Sequence, residues 1–199
     1  MSEGGERPRC TIAVDLDGTL VPNLVDFEAL REKVRRLLGV EGPLKPLGAS
    51  LERLEIDEGL KRMAWDLIEE AEAESAARLD PSEALQNVEA LRRAKAAGAT
   101  LALVTARSDA SARPILERLG ILELFDAVVT RSLAGADRSA QLRALVAAGR
   151  LVLIGDTDYD EAAASSVGAA FIRVRTHREF PAAMEEALRL CLDPSGSPR

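Results

Sequence analysis

Asp15-Leu16-Asp17-Gly18-Thr19-Leu20 sets two carboxylates two residues apart, directly after the apolar, β-branched run Thr11-Ile12-Ala13-Val14. Residues i and i+2 of a strand face the same side, so both charges would crowd one spot unless the chain turns or a cation intervenes. A fold has no structural need for such a pair at a buried strand end. A divalent metal, with a reaction that needs a nucleophile and a proton carrier, would account for both acids.

Two further apolar runs end in groups suited to the same chemistry. Residues 100–104 run into Thr105-Ala106-Arg107, and residues 151–154 run into Gly155-Asp156-Thr157-Asp158-Tyr159-Asp160. The acids at 156, 158 and 160 look like the opening of a calcium loop. That reading fails, because Glu161 stands where such a loop needs Gly and Val167 where it needs Glu.

The elements that must position these groups follow from the pattern. Short apolar runs at residues 10–14, 100–104, 127–129, 151–154 and 170–174 read as strands of a parallel sheet covered on both faces. Helical patterns separate the last four: residues 82–97 with Ser82 as N-cap and Gly98 as stop, 111–119 before Gly120, 139–148 before Gly149, and 159–166 before Gly168. A final helix covers residues 181–192. The pattern predicts an α/β fold with a doubly wound five-stranded parallel sheet. Ligands of such sheets gather at the carboxyl ends of the strands, where the strand order reverses.

About 80 residues separate the first two strands, too many for one crossover, so a small inserted α-helical domain belongs there. One of its helices carries Leu30, Val34, Leu37 and Leu38 on one face, entered at Asp26 and ended by Gly39. A longer one carries Leu60, Ala64, Leu67 and Ala71 and runs through Ala77. The domains expected are residues 1–21 with 80–199 as the core and 22–79 as a helical cap, hinged at Asp80-Pro81. The acidic run from Glu69 to Glu74 reads as a solvated helix face, and Met63 and Trp65 read as packing residues.

In these residues the chain resembles the haloacid dehalogenase superfamily of hydrolases and phosphotransferases. Asp15, Asp17 and Thr19 match its first motif, Thr105 its second, and Gly155, Asp156 and Asp160 its fourth; the insertion sits where the helical type-1 cap of the phosphoglycolate-phosphatase-like branch belongs. The third motif departs from the pattern. Its usual Lys is missing, since no Lys occurs from residue 96 to 199, and Arg138 replaces it with Arg131 as rival.

The resemblance implies a phosphatase acting on a small phosphorylated metabolite. Asp15 would be the nucleophile that becomes an aspartyl phosphate, and Asp17 the acid and then the base. Thr105, Arg138 and the backbone N–H groups of Leu16, Asp17 and Ala106 would hold the phosphoryl group. Mg²⁺ would be held by Asp15, Asp156, the backbone carbonyl of Asp17 and, through water, Asp160. A phosphomutase that passes the phosphoryl group to a sugar, and a catalytically silent phospho-ligand binder, stay open as alternatives.

Composition excludes other classes. The formal charge is -7, which argues against nucleic-acid or membrane-surface partners. Residues 22–79 hold 13 acids and 9 bases, a poor match for a polyanionic polymer. No apolar run reaches the roughly 18 residues needed to cross a bilayer. Residues 1–9 lack the apolar core of a signal peptide. Cys10 and Cys191 lie far apart without metal-ligand spacing. Together these features predict a reduced, cytoplasmic protein. His177 reads as a surface residue, Arg107 equally as a phosphate contact or a surface charge, and residues 194–199 as a disordered tail.

Overall fold

The computed structural model describes residues 10–146 and 149–192. The expectations for residues 1–9, for the tail at 194–199 and for the end of the helix at 147–148 lie outside the described residues. In chain order the elements begin with β1 (Cys10–Asp15), then α1 (Phe27–Leu38), α2 (Leu47–Arg53) and α3 (Glu58–Arg78). After these come α4 (Leu85–Ala96), β2 (Thr100–Val104), α5 (Asp109–Leu119), β3 (Ala127–Val129), α6 (Arg131–Ala134) and α7 (Arg138–Val146). The chain closes with β4 (Arg150–Gly155), α8 (Asp158–Ser166), β5 (Ala170–Arg173) and α9 (Phe180–Leu192).

The five strands form one parallel sheet in the order β3-β2-β1-β4-β5. Alternate strand residues feed two cores, as the period of two requires. Ile12, Val14, Leu101, Leu103, Val152 and Ile154 pack against residues of α4, α5 and α9. Ala13, Ala102, Val104, Leu151 and Leu153 pack against Leu142 and Leu145 of α7 and Ala163 and Ala164 of α8. The chain runs from β1 towards β3 on one side and from β4 to β5 on the other, so the order reverses between β1 and β4. Asp15 pairs in register with Val104, and Val14 with Ile154, which brings three strand ends together at that reversal.

Helices α1 to α3 carry a third cluster of their own, including Leu30, Val34, Leu38, Leu47, Leu51, Ala64 and Ile68. Asp26 caps α1 by accepting from the Ala29 N–H at 2.9 Å, and Gly39 ends it in the left-handed region. In α3 the buried stripe is rotated from the expected one, to Ala64, Ile68, Glu72, Ser75 and Ala76. Leu60 and Met63 face solvent instead, Met63 with 52% of its surface exposed. The expected N-cap at Ser82 is also displaced. Asp80 caps a 3-10 turn over Pro81–Ala84 by accepting from the Ser82 N–H, and α4 begins only after it.

Cys10 and Cys191 form a disulfide that ties the start of β1 to α9. This overturns the expectation of reduced cysteines, which rested on their separation in sequence. Packing of α9 beside β1 supplies the contact that spacing cannot reveal. Among the described residues, no helix is long and apolar enough to cross a membrane.

Candidate active site

Asp15 ends β1 with only 5% of its surface exposed, next to the ends of β2 and β4. The chain must turn at once to keep Asp17 off it. Gly18 makes that turn with φ +82°, and a Cβ there would run into the Asp156 carboxylate. Gly155 is equally constrained, since a Cβ would lie 2.8 Å from Cβ of Asp160. Both glycines are therefore demanded by the packing of acids around the site.

Arg138 opens α7 and is buried against this cluster. Its Nη2 donates to Asp15 Oδ1, its Nε to Asp160 Oδ1 at 2.8 Å and its Nη1 to Gln141 Oε1 at 2.9 Å. Gln141, one helical turn on, donates from Nε2 to the carbonyls of Thr105 and Gly135, each at 2.8 Å. One guanidinium and one amide thus lock together the ends of β1 and β2 and the start of α7. Asp160 is fixed from its own helix as well, because Thr157 and Asp160 form a capping box at the start of α8.

Carboxylate oxygens of Asp15, Asp156 and Asp160 lie within 4.8 Å of one another. Burial raises the Asp15 carboxyl well above the ordinary range; Arg138 opposes this, while Asp160, Asp156 and Asp17 add to it. Burial and the Asp160 charge push Asp156 up to about 6. Arg138 is raised above its ordinary value because Asp15 and Asp160 outweigh the cost of its burial. Three hard oxygen donors converge there with one guanidinium to share three charges. They fit a small divalent cation such as Mg²⁺.

Asp17 stands apart from that cluster. Both of its carboxylate oxygens are held by Arg107, Nε to Oδ2 and Nη2 to Oδ1, each at 2.7 Å. Each acid of the Asp15/Asp17 pair therefore has its own arginine. Arg107 is buried, which overturns the surface reading of it. It reaches on to α3, donating from Nη1 to the Glu72 carbonyl at 2.8 Å and from Nη2 to Ser75 Oγ at 2.6 Å. Glu72 is buried too, contrary to the solvated face expected for residues 69–74; it accepts from Arg131 Nη1 and Ser111 Oγ, each at 2.7 Å. Arg131 is thus committed to Glu72, to the Ala106 carbonyl and to the ring of Trp65, and Arg138 alone of the two rivals meets Asp15.

These groups line one cavity of about 710 Å³ between the strand ends and the helical insertion. Asp15, Asp17, Thr105, Ala106, Arg138, Asp156 and Asp160 all border it, whereas the fully buried Leu16 does not. The insertion contributes Phe27, Arg31, Lys45, Leu47 and Ile68. Thr105 Oγ1 accepts from the Arg107 N–H at 3.2 Å. Arg173 on β5 steadies the fourth-motif loop, donating to the Asp156 carbonyl, Asp158 and Glu161. Sequence reasoning missed Gln141, Glu72 and Arg173. Only Gln141, three residues after Arg138, carried a local signal.

A parallel sheet with acids from the ends of β1 and β4 and Thr105 from the end of β2, gathered around one reversal point, points to a class of hydrolase. A profile of the haloacid dehalogenase-like hydrolases matches residues 12–165, and the chain belongs to that family. Among solved structures it is similar to a predicted phosphatase from Clostridium acetobutylicum, with 21% identity and a TM-score of 0.64 over 93% of this chain and 99% of that one. It is also similar to a predicted phosphoglycolate phosphatase from Haemophilus somnus 129pt, with 24% identity and a TM-score of 0.59 over 87% and 88% of the two chains. A third similar structure is Protein Tyrosine Kinase A from Mycobacterium tuberculosis, with 25% identity and a TM-score of 0.58 over 86% of each chain. No curated protein matches the sequence.

Proposed function

We propose that this hydrolase is a Mg²⁺-dependent phosphatase acting on a small phosphorylated metabolite. The observation that carries the reading is the division of labour in the first motif. Asp15 belongs to a three-carboxylate cluster with Arg138, while Asp17 is held separately by Arg107.

Asp15, Asp156 and Asp160, with the backbone carbonyl of Asp17, would hold Mg²⁺. When bound, the cation offsets the charge of the phosphoryl oxygens and lets two anions meet. An Asp15 oxygen attacks phosphorus, and the bond from phosphorus to the ester oxygen breaks as Asp17 delivers a proton to that oxygen. Asp17 then takes a proton from water, which attacks the aspartyl phosphate, releases inorganic phosphate and restores Asp15. The Thr105 hydroxyl, the N–H groups of Asp17 and Ala106, and Arg138 hold the phosphoryl oxygens in both steps; Leu16, set back from the cavity, is left out of that role.

Residues 22–79 act in this reading as a cap over the core formed by 1–21 and 80–199, excluding water and selecting the leaving group. With Cys10 and Cys191 paired, the cysteines give no support to a reducing, cytoplasmic setting. The test is a screen of small phosphorylated metabolites for phosphate release with Mg²⁺. Release from a monophosphate, stopped by chelation, supports the phosphatase; turnover primed by a bisphosphorylated sugar would point to a phosphomutase instead. Tight binding with no turnover would leave only a silent binder.

A further inference from the structure

Arg107 hydrogen-bonds to both Asp17 and the insertion helix α3. Two of its nitrogens grip the Asp17 carboxylate as a fork, a geometry that fixes the plane of the acid and not merely its distance. The same guanidinium donates to the Glu72 carbonyl and to Ser75 Oγ on α3, and Ser75 Oγ in turn donates to the Glu72 carbonyl at 2.7 Å. Around this contact α3 is pinned to the core by Glu72, which accepts from Arg131 on both oxygens and from Ser111 Oγ on Oε2. Where α3 sits therefore decides where the Arg107 fork sits, and the fork decides where the Asp17 oxygens lie.

We infer that Arg107 is a positioning residue that makes the acid function of Asp17 depend on the seating of α3. The inference rests on the phosphatase reading above. It differs from a merely structural role in one respect. A misplaced Asp17 harms substrates that need a proton on the departing oxygen and spares those that do not.

The test compares kcat/KM for benzyl phosphate, whose alcohol departs poorly without a proton, with that for 2,4-dinitrophenyl phosphate, whose phenolate departs unaided. For a double-displacement enzyme this constant reports the transfer to Asp15, the step in which the leaving group departs. Arg107→Ala should lower the benzyl value at least about 10-fold more than the dinitrophenyl value, a fraction of the roughly 10²–10⁴-fold that an intact general acid contributes. Arg107→Lys should recover part of that selective loss, and Ser75→Ala, which leaves Asp17 and Arg107 in place, should show a smaller loss of the same kind. Partial unfolding scales both substrates equally and leaves the ratio unchanged. Equal losses on the two substrates, with the wild type active on both, would overturn the inference and leave the phosphatase reading standing. A wild type inert towards both would overturn that reading and the inference with it.

Discussion

Arg138 donates to Asp15 across 123 residues of sequence, and both side chains are buried where they meet. The same guanidinium bridges to Asp160, so its single charge is shared between two of the three clustered carboxylates. An arginine here does what a lysine's point charge cannot, because its planar fork meets Asp15, Asp160 and Gln141 at once.

Replacing Arg138 tests that arrangement. Arg138→Met leaves Asp15 and Asp160 buried without their partner. It should cost about 3–5 kcal/mol of stability, as loss of one partner of a buried pair does. Arg138→Lys keeps the charge and loses the fork, so it should be less destabilising and retain more phosphate release. Denaturant unfolding and initial rates measure both. A Met variant as stable as the wild type would contradict the neutralising role.

Acidity should be coupled to the cation. Asp156 is pushed up to about 6 by burial and by Asp160, and Asp15 is raised as well. An acid raised on folding binds more protons in the folded chain than in the unfolded one, so stability falls as pH rises through the window between ordinary and folded values. A bound cation displaces those protons and removes the penalty. The rise in Tm on adding Mg²⁺ should therefore be small near about pH 5 and larger near about pH 7.5. A Tm rise of the same size at both values would contradict the coupling.

The disulfide closes nearly the whole described chain, with a sequence separation of 181. Cys10→Ser with Cys191→Ser should lower stability by about 2–4 kcal/mol. The rate of phosphate release should stay near that of the wild type below the unfolding transition, because the bond lies at the opposite end of β1 from Asp15. Two free thiols titrating in the unreduced native protein would contradict the pairing.

The sheet was legible because its central strands β1, β2 and β4 are buried on both faces and so read as continuous apolar runs; β2 and β3 match the expectation at both ends. Asp15, Asp17, Thr105, Asp156 and Asp160 were legible because they sit directly after those runs. Partners that meet only through packing were not. Glu72 lies in an acidic run that looks solvated, and its partners Arg131 and Ser111 are 59 and 39 residues away. Arg107 meets Asp17 across 90 residues, and no local periodicity encodes that contact. The stripe of α3 was misplaced for the same reason. Glu72 and Ser75 are polar, so a search for apolar spacing passes over the face that is in fact buried.

The most direct measurement is inorganic phosphate release from 4-nitrophenyl phosphate with Mg²⁺, by the wild type and by Asp15→Asn side by side. The wild type should turn over and stop on chelation. The Asn variant should remain folded, with its rate reduced by about 10³-fold or more. An Asn variant that releases phosphate at the wild-type rate would remove Asp15 from the chemistry and contradict the account at its base.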